Sequence, residues 1–360
     1  MNTKKSAAAA LVAALGVTTL AACGGSGDTT ADAPAPKTVR LVSHDSFNAS
    51  EEVLAEFERK TGFTIEVVKS GDAGEAVNKE ILTKGNPQGD VFFGVDNTLL
   101  SRALDNGIFV PYEAKGLDRV PAALRTDAKH RVTPVDSGDI CVNYDKKYFA
   151  DKKLDPPQTF DDLAKPAYKD LLVVENPERS SPGLGFLLGT AARYGDDGWQ
   201  DYWTRLKANG VKTVDSWELA YNQEFSGSAG GRKAKGDRPL VVSYASSPPV
   251  EVLYSEPQPK DAPTGVSTGT CFRQTEFAGL LDGARNPEGG KLLIDFLISK
   301  TFQDDMPLQM FVNPVAADAT LPELFTRHGV VIDDPQTMTP EEIARNRDEW
   351  IKSWSSLVLK

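Results

Sequence analysis

Histidine, cysteine and methionine are scarce in this chain: 360 residues hold three, three and four of them. So few histidines leave little material for a histidine-rich metal site or a proton relay, and neither metal nor cofactor is expected. Basic charge is short as well, with 40 Lys and Arg against 51 Asp and Glu, a net charge of −11 and a pI near 5.0. Without a basic footprint for phosphates, no nucleic-acid partner is expected. The chain has no H-E-x-x-H zinc motif and no P-loop, and no histidine stands in a triad context, so an enzyme is not expected. At 40% hydrophobic and 25% charged, it is not a disordered, collagen-like or polytopic membrane chain. Its length suggests two domains.

What is present begins with an address. Lys4 and Lys5 precede an apolar run over 7–17, and the segment closes on Leu20-Ala21-Ala22-Cys23. The run is too short to span a bilayer and ends in small residues, which reads as an export signal over 1–22. The Leu-Ala-Ala-Cys ending looks like a lipoprotein signal, in which Cys23 becomes an acylated N-terminus; an ordinary signal with an incidental cysteine is the alternative. Cleavage removes two lysines and takes the net charge from −11 to −13. Residues 23–38 are rich in small residues and proline and read as a flexible tether. The expected location is therefore outside the cytoplasmic membrane, lipid-anchored to its outer face.

Two cysteines remain, Cys141 and Cys271. In an oxidising compartment an isolated pair reads as a disulfide, worth about 4–5 kcal/mol in the chain-entropy model. Two unpaired buried thiols are the alternative.

From residue 39 onward strands and helices alternate. Strands are predicted at 39–43, 63–68 and 90–94, with a helix from 51 that Gly62 ends and another over 97–106. A second unit follows a strand at 139–144, with strands at 171–175 and 240–244 and helices at 183–194, 199–209 and 217–225. The order implies parallel strands with helices on both faces, an α/β architecture. Near the end come a helix at 290–299 and a capping box at Thr339-Pro340-Glu341-Glu342. The final helix carries Ile343, Trp350, Ile351, Trp354 and Leu357 on one face. The Gly-rich run over 225–238 reads as a mobile surface insertion.

Open α/β sheets bind ligands outside the carboxyl ends of their strands. Those ends carry His44, Asp72, Asp96 and the stretch Pro177 to Gly185. Ser181 is placed to cap a helix with Pro182 at its first position. A phosphate or hydroxyl site and a plain cap with glycines for close packing fit that stretch equally. Trp199/Trp203 and Trp350/Trp354 are i,i+4 pairs and read as core faces. Trp217 and Tyr221 share that spacing after a strand at 212–214. They read as core or, with Tyr244, Asp72 and Asp96, as an aromatic box with carboxylates that suits an organic cation.

Four segments carry a resemblance: Gly94-Val-Asp-Asn-Thr-Leu-Leu, Ser180-Ser-Pro-Gly-Leu-Gly, Trp217-Glu-Leu-Ala-Tyr221 and Val242-Ser-Tyr-Ala-Ser-Ser-Pro248. Together, and with Phe302-Gln and Asn313-Pro-Val-Ala, they resemble the thiamine-binding proteins of bacterial ABC importers from about residue 39 to the C-terminus. The resemblance implies a two-lobed periplasmic-binding-protein fold of type II, with parallel-rich sheets and the ligand in the interlobe cleft. It implies a monomer that delivers thiamine and its phosphates to a membrane permease. The lobes are expected over 39–138 with 266–318, and over 139–265 with 319–360.

The resemblance places ligand contacts at Asp72 and Ala73, Ser180 and Ser181, Trp217, and the turn Tyr244-Ala245-Ser246-Ser247-Pro248. His44, Asp96, Asp136, Tyr221 and Phe311 join them as additional cleft residues. His44 stands where relatives carry tyrosine, Phe311 where they carry tryptophan, and Ser137 where they carry another aromatic. On this reading Tyr244 and Trp217 offer ring faces to the thiazolium, and Asp72 supplies countercharge. Ser180, Ser181 and the helix start take the hydroxyethyl or phosphate end. The alternatives are a binder of ferric ion, a polyamine or an aminophosphonate, and an exported hydrolase. Ferric sites of the superfamily typically use two adjacent tyrosines, whereas Tyr244 is followed by Ala245.

Overall fold

The computed structural model describes residues 37–228 and 236–360. The expected export signal, Cys23 and nearly all of the tether lie outside the described residues, as does the centre of the Gly-rich insertion.

β1 (Thr38–Ser43) leads into helix Glu51–Thr61, whose cap Ser50 accepts from the Val53 N–H and which Gly62 closes in the left-handed region. β2 (Thr64–Lys69) returns parallel to β1. Helix Ala73–Leu82, capped by Asp72, then crosses to β3 (Val91–Asp96), parallel to β1 on its other side. The helix that the alternation implies between the second and third strands is Ala73–Leu82, and Asp72, expected at a strand end, is its cap. A helix spans Leu100–Asp105, shorter than expected, before β4 (Phe109–Val110).

β5 (Thr133–Asp145) contains the strand expected at 139–144 as its second half. β6 (Leu172–Glu175), β7 (Lys212–Val214) and β8 (Leu240–Tyr244) form the other flank, with β6 parallel to both β7 and β8. β9 (Thr264–Leu281), absent from the sequence reading, is antiparallel to β3, β4 and β5. β10 (Asn313–Pro314) pairs with β5. The strand order is β2-β1-β3-β9-β5-β8-β6-β7. The sheet is thus parallel at both flanks, as the alternation implies, and antiparallel in the middle. The difference comes from β5 and β9, two long strands that run from one half to the other.

Two large apolar clusters form the core, one within the β1–β3 half and one spanning both halves. One gathers Val39, Phe57, Phe93, Leu293 and Phe302; the other runs from Phe92 and Phe277 to Phe186, Trp203 and Trp354. The two tryptophan pairs pack against each other: Trp199 meets Trp350 at 6.3 Å and Trp203 meets Trp354 at 5.4 Å, both edge to face. Such pairs add about 0.5–1.5 kcal/mol each beyond area burial. They dock helix Pro340–Val358, started by the Thr339–Glu342 capping box, onto helix Trp199–Ala208. Cys141 and Cys271 are disulfide-bonded and join β5 to β9.

Two helix starts differ from expectation. Helix Ser181–Tyr194 begins one residue early, so its cap position is Ser180, whose side chain makes no capping bond. The segment expected as one helix over 217–225 is a short turn, Trp217–Leu219, followed by a π-helical stretch, Ala220–Glu224. Single π turns of this kind widen a helix and are frequent at functional sites.

Candidate functional site

Asp72 closes the loop after β2. Its Oδ1 accepts from the Ala73 N–H at 2.7 Å and its Oδ2 from the Trp217 N–H at 2.9 Å. Burial pushes its pKa up to about 6, against the opposing pull of these two N–H groups and the nearby Ser180 hydroxyl. One carboxylate therefore ties the β1–β3 half to the Trp217 turn. Other contacts cross at the same place: Ser46 Oγ donates to Glu218 Oε1 at 3.1 Å, and Arg179, held within its own half by Asp215 at 2.7 Å, donates across to Glu75 at 3.3 Å. Gly74 is so close to the opposite half that a Cβ there would lie 2.7 Å from the Arg179 carbonyl oxygen.

Behind these contacts is a narrow cavity of about 50 Å³. His44, Ser46, Asp72 and Ala73 line it from one half; Ser181, Trp217, Tyr244, Ser247 and Val250 line it from the other. Glu276 of β9 and the loop Met310, Phe311, Val312 complete the wall, and no lysine or arginine is among the lining residues.

The aromatic wall is held in place by hydrogen bonds. Trp217 Nε1 donates to Ser243 Oγ at 2.9 Å, Ser243 and Ser247 share a 2.9 Å hydroxyl contact, and the Tyr244 N–H donates to Ser247 Oγ. Tyr221 stacks behind Trp217 at 4.9 Å and donates its hydroxyl hydrogen to Glu251 at 2.7 Å. Gly94 has φ +106°, and a Cβ there would stand 2.4 Å from the His44 ring. Only glycine meets both demands, and the bulge it makes in β3 leaves room for the imidazole. Burial, reinforced by Lys69, lowers the His44 pKa to about 4. The 3.8 Å approach of its Nε2 to Glu276 is therefore a contact of a neutral ring, not an ion pair.

Three carboxyl groups stand in a row across three adjacent strands. Glu276 of β9 is in register with Asp96 of β3 on one side and Asp136 of β5 on the other. Asp96 is fully occupied, accepting from Thr98, Leu99 and, at 2.6 Å, Gln274. Asp136 and Glu276 stand opposite each other in the ladder, close enough for each carboxyl to act on the other. Burial raises Asp136 to about 7 and drives Glu276 well above the carboxylate range, with Asp136 and Asp96 adding to the latter. The Tyr244 hydroxyl is raised too, by burial first and then by Glu276, Asp96, Asp72 and Asp136. Like charges facing each other on neighbouring strands destabilise a sheet. This row creates a negative field that a cation in the cavity would neutralise.

Of the contacts predicted from sequence, Asp72, Ala73, Ser181, Trp217, Tyr244 and Ser247 line the cavity, as do His44 and Phe311 from the additional set. Ser180 is buried beside Asp72 and does not line this cavity. Ala245 packs against the disulfide, Pro248 starts helix Pro248–Leu253, and Ser246 Oγ donates to the Phe311 carbonyl at 2.7 Å. That bond helps hold Phe311 at φ +60°, a left-handed conformation that costs a phenylalanine about 1–2 kcal/mol. Tyr221 lines an adjoining cavity with Trp217 and Phe311; Asp96 and Asp136 flank Glu276. Sequence reasoning missed Glu276. Its only signal was an acid at the edge of the apolar run Phe277 to Leu281, after Arg273-Gln274-Thr275.

A G-x-S-x-G spacing does occur, at Gly265-Val-Ser-Thr-Gly269. It is inside β9 rather than on a strand-to-helix turn, and Ser267 Oγ is buried, donating to the Pro157 carbonyl. Among the described residues, no three His, Cys, Asp or Glu side chains are grouped to hold a metal ion, and no helix is long and apolar enough to cross a membrane.

Residues 86–244 match the model of a family described as bacterial extracellular solute-binding protein. The chain is 30% identical to the thiamine-binding periplasmic protein of Escherichia coli over 337 residues, covering 91% of this chain and 96% of that one. This chain belongs to the thiamine-binding periplasmic protein family. A Salmonella typhimurium protein of the same name is 29% identical, covering 91% and 95% of the two chains. A solved periplasmic thiamin binding protein superposes with a TM-score of 0.75 at 27% identity, covering 89% of this chain and 96% of that chain. The fold is accordingly the two-lobed type II periplasmic-binding-protein fold, and members of this family are solute-binding proteins of ABC importers.

Proposed function

We propose that this protein captures thiamine, and its phosphates, in the cleft and delivers it to the permease of an ABC importer. The observation that carries this reading is the cavity itself, which combines Trp217 and Tyr244 with buried carboxyls and has no lining cation. A thiazolium keeps its positive charge at every pH, and each ring contact with it is worth about 0.5–2 kcal/mol. Ser181, at the first turn of helix Ser181–Tyr194, offers its hydroxyl and the helix N-terminus to the hydroxyethyl or phosphate end. The names of the curated relatives support the same ligand.

The lobes are 39–138 with 266–318, and 139–265 with 319–360, hinged where β5 and β9 pass between them. The protein acts as a monomer and catalyses nothing: the scheme moves no proton on the ligand and forms no covalent bond. The Leu20-Ala-Ala-Cys23 ending supports an acylated Cys23 that anchors it outside the cytoplasmic membrane through the tether. Calorimetry with thiamine, thiamine monophosphate and thiochrome, a neutral fused-ring relative, tests the reading. The two cations bind one per chain and thiochrome far more weakly. Thiamine that fails to bind, or thiochrome that binds as well, overturns it.

A further inference from the structure

We infer that Glu276, backed by Asp136, is the charge partner of the bound cation, and that ligand entry expels the proton this pair holds. The inference rests on the thiamine reading and adds the group that meets the charge.

Two carboxyls line the cavity, Asp72 and Glu276. Asp72 has already spent one oxygen on the Ala73 N–H and the other on the Trp217 N–H. It is a fastener between the halves. Glu276 receives no N–H hydrogen bond among the described residues; its nearest cationic candidate, His44 Nε2, is 3.8 Å away and neutral. Directly across the ladder, Asp136 keeps a buried Oδ2 with no partner.

The groups facing Glu276 come from every side and none is positive. Asp96 approaches from β3, Asp136 from β5, Tyr244 from β8, Asp72 from the helix start and His44 from the loop after β1. Asp45 and Lys69 act on His44. The pair therefore cannot ionise twice in the empty cleft. A permanent cation removes that obstacle. Near pH 7.5 the pair holds one proton and one negative charge before binding; afterwards it holds two negative charges beside one positive charge, and the proton has gone to solvent. The net charge of the cleft is unchanged, so little electrostatic work opposes entry. It follows that binding tightens with rising pH, by about tenfold per unit wherever one proton is exchanged.

The test is calorimetry of thiamine binding at about pH 7.5 in two buffers of different ionisation heat, on wild type, Glu276→Gln and Asp136→Asn. Wild type releases close to one proton per thiamine. Both variants release close to none, bind roughly tenfold or more weakly at pH 7.5, and lose the pH dependence between 5.5 and 7.5. Ionisation of the ligand's own pyrimidine is common to all three proteins, so the difference isolates the pair. Heats that do not depend on buffer in wild type overturn the inference without any variant and leave the thiamine reading intact. Variants that keep the wild-type proton release also overturn it. Wild type that binds no thiamine overturns both.

Discussion

The backbone N–H of Trp217 donates to Oδ2 of Asp72 at 2.9 Å, joining two residues 145 positions apart in the chain. The same carboxylate caps helix Ala73–Leu82 through its other oxygen. Closing the cleft and starting that helix thus draw on a single side chain.

Asp72→Asn has one acceptor oxygen for two N–H donors, so one donor is left unpaired at a cost of about 1–3 kcal/mol. Thiamine affinity should fall roughly five- to a hundredfold, while Trp350→Ala, in protein that remains folded, should leave it near wild type. Calorimetry on both variants checks this. Asn at 72 binding as tightly as Asp would remove the residue from the closing mechanism.

Gly74→Ala places a methyl where only 2.7 Å separates the position from the Arg179 carbonyl oxygen. The isolated helix accepts alanine readily, so the penalty falls on the closed arrangement. The expected outcome is a melting temperature at or above wild type with weaker thiamine binding, and a larger radius of gyration at saturating ligand. Identical scattering from the variant and wild type would refute this.

Stability should depend on pH in an unusual direction. Asp72 is raised to about 6, Glu80 and Asp136 to about 7, and Glu276 and Glu175 also upward, all primarily by burial. In the folded state these groups keep protons that the unfolded chain has released. Their contribution is complete below an unfolded value near 4 and is lost as pH climbs through 6 to 7. His44, lowered to about 4, works the other way but is one group against several. Depressed carboxyls such as Asp162, at about 2, act below this window. The ligand-free protein should melt at a higher temperature at pH 5.5 than at pH 7.5, and saturating thiamine should shrink the difference. Scanning calorimetry showing the reverse slope would contradict the assignment.

The disulfide joins β5 and β9, and packs with Ala245, Val266 and Ile332. Replacing Cys141 and Cys271 with serine should cost about 2–4 kcal/mol and change thiamine affinity only a few-fold, since neither cysteine lines the cavity. Thermal melts of the never-reduced protein and the double variant decide it. Equal melting temperatures would mean that the bridge adds nothing.

The sequence discloses Asp72, Ser181, Trp217 and Tyr244 because each ends or follows a strand of the parallel flanks, where a general rule says where to look. Apolar spacing likewise reveals the tryptophan faces, which then prove to pack on each other. Glu276 obeys no such rule. It is mid-strand in an antiparallel element, and it gains meaning only when β3 and β5 bring Asp96 and Asp136 beside it. The hydrogen bonds that occupy Ser246 and Asp96 are equally invisible in one dimension, since their partners, Phe311 and Gln274, are remote in the chain. β9 itself was hidden because most of its eighteen residues are buried on both faces, with no single alternation of polar and apolar positions.

Helix Pro340–Val358 touches both halves of the molecule. Its tryptophans pack on helix Trp199–Ala208 of the β6–β8 half, while Arg347 donates to Ser101 Oγ at 2.9 Å and to the Thr98 carbonyl at 3.4 Å on the β1–β3 half. Arg347 is 4% exposed, so water cannot readily replace those acceptors. The C-terminal helix is therefore a tie beam behind the mouth of the cleft. Any motion that parts the two halves here has to break the Arg347 bonds or unpack the two indole pairs, none of which lines the cavity.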